Sequence, residues 1–468
     1  MSGRVEAADA CEQVDEAEGH VATVIAISSN TGTPRGIWGQ LCWAQSTAGV
    51  ARAYRSSLCQ EARVLRRHVV GPVVVDQIGP GGELIQAVDS RLSNAEKDEL
   101  LLSALPGAHT ATYAGARVVR FGDQVILKKQ VTHLGHPWPG FKKRIQIPKR
   151  WLDVARQASA EGLLVRFVGI YHFDGVTIFV DFDPRTYLLR KANNSAAHVA
   201  TNDLYQAQTL GQFSRVDGNG NRLTSVRADQ FAHYLREGYV SGQPAIEVFR
   251  DFNAKFLDSR RLDALIAIKK MYEASWPDKF QSEWPGFYLE FRLDEYLRMH
   301  RLTDLVEYQK IKGKGLFDYD LAFKSGGAVS YYGDLKASDV ARHESPGNDA
   351  DDINRCVSQF GRFWYVIYEH DTWHARDNGD LATIAWNQWK RSVGYVPRNG
   401  YNELSYAKRF KEAVRFVSMS ILEVNPANFH IVLGDFAQGR QQGGAARALK
   451  VMIRKANIDN FLVYSEGL

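Results

Sequence analysis

The segment "LFDYDLAFKSGGAVSYYGDLK" occupies residues 316–336 and organises the second half of the chain. Two runs rich in aromatic and aliphatic residues, 317–324 and 328–336, flank the turn residues Ser325-Gly326-Gly327. Such a pattern is typical of a β-hairpin. If all three turn residues lie in the loop, residue 324 pairs with residue 328, and Asp334 lies directly opposite Asp318.

One face of this predicted hairpin is charged. Because side chains of a strand alternate between its two faces, Phe317, Tyr319, Leu321 and Val329 are expected on the other face. The charged side chains are Asp318, Asp320, Asp334 and Lys336. Carboxylates that oppose each other across a strand pair are destabilising unless a cation lies between them.

Carboxylate oxygens at this spacing suit Mg²⁺, which takes one or two carboxylates and fills its remaining positions with water and phosphate oxygens. A metal held in this way polarises a phosphodiester and activates a bound water. Lys336 would point to the same side, where it could position that water and stabilise charge on the phosphate. The pattern therefore predicts hydrolysis of a phosphodiester.

A further carboxylate lies upstream, in the predicted helix 286–300. Glu290 falls on a stripe whose other members are Gly286, Leu293 and Leu297, so its charge faces inward and needs a partner. We expect Glu290 to reach the same metal or to orient a water.

This combination of residues resembles the PD-(D/E)XK nuclease superfamily, whose best-known members are Type II restriction endonucleases. The resemblance covers residues 245–468 and rests on Asp318 or Asp320, the hairpin, Asp334-Leu335-Lys336 and Glu290. It implies that Asp334 and one earlier aspartate bind Mg²⁺ and that Lys336 is the catalytic lysine. The superfamily's proline precedes neither Asp318 nor Asp320, so both aspartates stay candidates. It also implies double-stranded DNA as substrate and a homodimer acting at a palindromic site.

The chain has 468 residues, 45% of them hydrophobic, and a net charge of +5. Its fold class is predicted as α/β (α+β), with a nuclease-like mixed sheet flanked by helices in the second half. Residues 1–19 are predicted to form a flexible acidic tail, residues 20–244 a mostly β DNA-recognition domain, and residues 245–468 the catalytic domain. In the recognition domain, Gly122-Asp123 and Asp174-Gly175 are predicted hairpin turns. In the catalytic domain we predict helices at 245–275, 286–300 and 351–370, and further strands at 415–424, 430–436 and 460–465.

A basic segment runs from residue 128 to residue 150 without an acidic residue. Its interleaved aromatic residues, such as Trp138, suit contact with phosphates and bases; the alternative is a solvated basic loop beside acidic neighbours. The predicted DNA-binding residues are Lys128, Lys129, Lys142, Lys143, Arg144, Lys149 and Arg150.

Other features narrow the class of protein. No run approaches 18 apolar residues, the first 18 residues carry six acidic ones, and the four cysteines form no CxxC pair, so a cytoplasmic protein without a membrane span is expected. There is no phosphate-binding P-loop, so ATP is not expected as a partner. Two alternatives to a site-specific endonuclease stay open: a nuclease directed to modified DNA, and a non-catalytic DNA-binding protein on a nuclease-like scaffold.

Overall fold

The computed structural model describes residues 73–189, 194–217, 219–257, 260–277, 279–309, 319–341, 344–395, 410–432, 436–437 and 449–468. All described residues belong to one compact unit. The acidic tail predicted at 1–19 and Asp318 both lie outside the described residues. The domain boundary predicted near residue 245 falls at the start of the helix Pro244–Lys255 and stays a prediction.

The first half of the described chain mixes strands and helices. The strands are β1 (Val74–Ile78), β2 (Leu84–Val88), β3 (His109–Tyr113), β4 (Ala116–Phe121), β5 (Gln124–Gln130), β6 (Thr132–His133), β7 (Lys142–Pro148), β8 (Leu164–Phe173), β9 (Val176–Phe182), β10 (Asn194–Ala200), β11 (Gln212–Val216) and β12 (Arg222–Arg227). The helices are α1 (Asn94–Ala104), α2 (Lys149–Ala160), α3 (Pro184–Leu188), α4 (Thr201–Leu210) and α5 (Phe231–Glu237).

Seven of these strands form one sheet in the order β11-β12-β9-β8-β5-β4-β3. All its neighbours are antiparallel except β5 and β8, which are joined by the crossover that contains β7 and α2. The predicted turns are confirmed: Phe121 pairs with Gln124 and Phe173 with Val176, so two residues make each turn. A smaller sheet of order β10-β7-β6 lies beside it.

The second half begins with helices and ends in strands. The helices are α6 (Pro244–Lys255), α7 (Ala264–Glu273), α8 (Trp284–Met299), α9 (Ala350–Phe360), α10 (Leu381–Ser392) and α11 (Phe429–Val432). The strands are β13 (Leu262–Asp263), β14 (Val306–Tyr308), β15 (Leu321–Ser325), β16 (Ala328–Asp339), β17 (Glu344–Asp349), β18 (Phe363–His374), β19 (Lys411–Val424), β20 (Phe436–Ala437), β21 (Leu449–Arg454) and β22 (Leu462–Gly467). None of the helices in the described ranges is long and apolar enough to cross a membrane.

The main sheet of this half has the order β13-β19-β18-β16-β15-β14, and β22 adds to β19. The strands β16 and β18 run parallel and are connected through α9, whereas their other neighbours are antiparallel. Apolar clusters cover both faces of β18: Trp364, Val366 and Tyr368 belong to one, and Phe363, Tyr365 and Ile367 to the other. The mixed sheet flanked by helices agrees with the predicted fold class.

The hairpin forms, but with a different turn and register. Ser325 pairs with Ala328, so Gly326 and Gly327 make a two-residue turn, and a bulge follows between Phe323 and Lys324. Both glycines have positive φ, 59° and 83°, as this turn type requires. The register shifts by two residues in all, which leaves each β16 side chain on its predicted face but gives it a different partner.

Three predicted elements were wrong. The helix predicted at 245–275 is broken, because Leu262 pairs with Val414 at the sheet edge. The helix predicted at 351–370 ends at Phe360, since Gly361 with φ of 75° stops α9 and the chain continues as β18. The strand predicted at 430–436 begins instead as the short helix α11, which follows a turn in which Asn425 Oδ1 accepts a hydrogen bond from the Ala427 amide at 3.0 Å.

A buried polar network centred on Glu423 of β19 joins the two halves. The Glu423 side chain has no solvent exposure. Its Oε1 accepts a hydrogen bond from Gln206 of α4 at 2.5 Å, and its Oε2 accepts one from the Trp364 indole at 2.9 Å. The Arg362 guanidinium lies 3.6 Å from the same carboxylate. The helix α4 of the first half is therefore tied to the sheet of the second.

We expect Glu423→Ala to lower the free energy of unfolding by about 3–5 kcal/mol, because it leaves buried donors and the Arg362 charge without their partner. Urea unfolding followed by circular dichroism measures this. The matched control is Glu412→Ala on the same strand, where a partly exposed ion pair with Arg261 at 3.0 Å contributes at most about 1 kcal/mol. Equal losses in the two variants would contradict the prediction.

Candidate active site

The strand β16 brings Asp334 into the interior of the sheet. Asp334 is 1% exposed, because β16 has β15 on one side and β18 on the other. Gly333 permits this packing, since a Cβ there would lie 2.6 Å from the Trp364 carbonyl oxygen. The neighbouring strand can thus approach closely only where residue 333 is glycine.

Asp320 lies next to Asp334. Leu321 pairs with Gly333, so continuing that register by one residue places Asp320 opposite Asp334. The two carboxyl groups share a hydrogen bond, and the Leu335 amide lies 3.4 Å from Asp320 Oδ2. The predicted opposition of two aspartates therefore exists, but with Asp320 in the position that the predicted register assigned to Asp318. Tyr319 also departs from prediction, because its ring packs on Tyr332 and Phe363, on the same face as Asp334.

Burial and like charge together dominate the chemistry of this pair. Asp320 is 8% exposed, and burial, followed by the charge of Asp334, raises its pKa to about 9. A hydrogen bond between two carboxyl groups requires one of them to be protonated. In neutral solution without a metal, the pair therefore holds one proton.

Lys336 points to the same side as Asp334, as predicted. Its ammonium forms an ion pair with Asp334 Oδ2, while its side chain stays 30% exposed. Burial lowers the pKa of Lys336, but the charges of Asp334 and Asp320 outweigh this, so that the pKa is raised. Lys336 is thus a permanently charged group between the carboxylates and the solvent.

Glu290 of α8 completes the group. Its negative charge contributes a smaller part of the rise in the pKa of Asp320. The Tyr308 hydroxyl of β14 donates a 2.6 Å hydrogen bond to Glu290 Oε2, and burial together with the Glu290 charge raises the pKa of Tyr308 well above its ordinary value. Tyr308 carries no signal in the sequence, because its role depends on the pairing of β14 with β15.

The donors fit a hard divalent cation. Asp320 and Asp334 offer oxygen ligands only, and their mutual repulsion is the kind that a cation between them relieves. Within the described ranges no group of three or more His, Cys, Asp or Glu side chains is placed to hold a metal, and Asp318 is not among those residues. Two carboxylates suffice for Mg²⁺ when water and phosphate supply the other ligands.

The predicted DNA-binding residues separate into surface and buried positions. Lys129, Lys149 and Arg150 are exposed, and Lys142 and Arg144 are half-buried. Lys143 was wrongly placed on a binding surface, because its side chain is fully buried and pairs with Asp89 at 3.3 Å. Lys128 is likewise only 7% exposed and pairs with Asp98. These two ammonium groups neutralise the protein's own carboxylates.

The comparison with known families bears on the first half. Residues 122–235 match the family model Methylase-associated X1. Domains of this family are typical of restriction–modification systems, so the match over this range suggests a component of such a system. The matched range runs from the β4–β5 turn to α5 and ends before Glu290, Asp320 and Asp334. No curated protein and no solved structure matches the chain.

In metal-free protein, we expect Asp320→Asn to be more stable than the unsubstituted chain at pH 8. The folded pKa of about 9 exceeds the unfolded value of 3.8, so the folded state binds the extra proton between these values and stability falls as pH rises. The slope is at most about 1.4 kcal/mol per pH unit. Urea unfolding in EDTA from pH 5 to pH 8 measures it, and Asp320→Asn should remove it.

Asp339→Asn on the same strand is the control, because its expected change in stability at pH 8 has the opposite sign. Burial raises the pKa of Asp339, but hydrogen bonds from Thr372 and the Ala341 amide outweigh this and lower it. A lowered pKa stabilises the fold above the unfolded pKa, so this variant should lose stability at pH 8. If Asp320→Asn also loses stability at pH 8, the folded state does not favour the protonated form of Asp320.

Proposed function

We propose that the protein is a Mg²⁺-dependent endonuclease of a restriction–modification system, with a catalytic centre of the PD-(D/E)XK type. The observation that carries the proposal is the buried opposition of Asp320 and Asp334 with Lys336 two residues along the same strand. The methylase-associated domain supports the biological setting. The substrate would be double-stranded DNA, cut at a short palindromic site by a homodimer, since two-fold DNA matches a two-fold protein.

Each residue of the centre has a distinct task. Asp320 and Asp334 would hold Mg²⁺, which when bound polarises the phosphodiester and lowers the pKa of a water. Lys336, whose charge is retained and whose side chain reaches solvent, would position the attacking water and stabilise negative charge on the phosphate. Glu290, held by the Tyr308 hydroxyl, would orient that water or an outer ligand of the metal.

The first test is cleavage of plasmid and phage DNA, unmodified and methylated, with Mg²⁺ or with EDTA. Discrete products that require Mg²⁺ are expected from the unsubstituted protein. Asp334→Ala should abolish them, and Lys336→Ala should slow cleavage by about 10²-fold or more, the cost of removing a group that stabilises transition-state charge.

Lys324→Ala is the matched control for the lysine, because Lys324 lies on β15 and pairs with Glu307 at 2.9 Å, away from the carboxyl pair. Its rate should be close to that of the unsubstituted protein. If no DNA is cut while DNA binding persists, the endonuclease assignment fails and a non-catalytic DNA-binding protein takes its place.

DNA contact is assigned to the exposed basic residues of the first half. A double variant, Lys149→Ala with Arg150→Ala at the start of α2, should weaken binding to all sequences alike. It should also reduce the slope of log K against log salt by about 2, one for each lost phosphate contact.

The control for this measurement is Lys269→Ala with Lys270→Ala, an adjacent exposed pair on α7. Fluorescence anisotropy measures the DNA affinity of the two double variants at salt concentrations from about 50 to 200 mM, a range over which such slopes can be resolved. An unchanged slope in the Lys149 and Arg150 variant would remove α2 from the binding surface.

A further inference from the structure

A cavity of about 340 Å³ opens beside β7 and β10, lined by Trp138, Lys142, Val199, Arg215 and Asp459 among others. All of these except Asp459 lie in the methylase-associated range 122–235. We propose that this cavity receives a single nucleobase turned out of the DNA duplex. The inference rests on the proposed action on DNA and adds to it a site that recognises one base outside the stack.

The first argument is an aromatic wall in contact with solvent. Trp138 is 50% exposed although it borders a concave site, and the Lys142 ammonium lies 5.1 Å from the centre of its ring. Bases stack on aromatic side chains because every base has a π-face, and a nearby cation pairs with the phosphate that follows the base. Trp138 with Lys142 therefore offers a surface for a base beside a charge for its phosphate.

The second argument is a buried donor without a hydrogen bond. The Arg215 side chain is 2% exposed, and its Nε and Nη2 donate to Asp203 at 2.5 and 2.9 Å. Its Nη1 donates no hydrogen bond within the described residues and lies 3.6 Å from Asp459 Oδ1. Leaving a buried donor unsatisfied is costly, and a carbonyl oxygen or ring nitrogen on the edge of a base would satisfy it.

The third argument is the route by which DNA would reach the cavity. Lys142 and Arg144 occupy alternate positions on β7, so both project to the same side of the strand, and both are partly exposed. The buried residue between them, Lys143, pairs with Asp89 at 3.3 Å and also borders the cavity. The backbone of a bound strand can follow this basic row to the cavity.

The test uses full-length protein with Asp334→Ala, so that DNA is bound but not cut. Two short duplexes are compared, one fully paired and one with a single unpaired 2-aminopurine. A site for an extruded base binds the second duplex more tightly, because the cost of unpairing is already met. We expect a preference of about tenfold or more and quenching of 2-aminopurine emission as it stacks on Trp138.

In the same background, Trp138→Ala should lose the preference and the quenching, whereas Trp138→Phe should keep most of both. The matched control is Trp373→Ala. Trp373 is 37% exposed and also lies beneath a cation, with the Arg261 guanidinium carbon 5.0 Å from the centre of its ring, but it does not border the cavity. Trp373→Ala should bind both duplexes as the parent protein does.

The outcomes separate this inference from the proposed function. Equal binding of the two duplexes, or a preference that survives Trp138→Ala, overturns the nucleobase site, while cleavage by the unsubstituted protein with Mg²⁺ still supports the endonuclease. Failure to bind or cut either duplex, or plasmid DNA, overturns both.

Discussion

The carboxylate of Glu423 is the point on which the architecture depends. It is fully buried on β19, where Gln206, Trp364 and Asn425 donate hydrogen bonds to it and Arg362 supplies positive charge. A buried charge is tolerated only when it is paired and hydrogen-bonded, so these groups must keep their positions together. Since they lie on α4, on and just before β18, and just after β19, the network orients the first half against the sheet of the second.

The same sheet carries the candidate active site. There, two buried carboxyl groups lie next to each other, whereas the Glu423 carboxylate is surrounded by donors and a positive charge. Asp320 and Asp334 are buried side by side, and burial, followed by the charge of Asp334, raises the pKa of Asp320 to about 9. Lys336 offsets part of that charge through its ion pair with Asp334. The rigid sheet keeps the carboxyl groups together despite their repulsion, and this strain gives the pair its affinity for a proton or a cation.

The first half contributes a surface of a different kind. The half-buried Lys142 and Arg144 lie on β7, the exposed Lys149 and Arg150 begin α2, and the cavity bordered by Trp138 opens beside β7. Buried lysines such as Lys143 support that surface by pairing with Asp89 and thereby hold β7 in place. Under the proposed function, contact with DNA and reaction with it fall to separate halves of one compact unit.

The amino-acid sequence by itself determined the local elements. The alternation of charged and apolar residues after Gly327 predicted β16 and the common side of Asp334 and Lys336, and the spacing of three and four around Glu290 predicted α8. Both inferences use neighbours in the chain, so periodicity contains the needed information.

Tertiary structure alone decided which side chains meet. The two-residue turn and the bulge between Phe323 and Lys324 set the register in which Asp320 lies opposite Asp334. The segment 363–374 is a strand because it pairs with β16 and β19. Its continuous apolar run also suits a helix, since burial on both faces removes the alternation that identifies a strand. Lys143 and Lys128 are buried in ion pairs with Asp89 and Asp98, so neither lysine belongs to the exposed basic surface. These outcomes depend on contacts between residues distant in the chain, and local pattern carries no information about them.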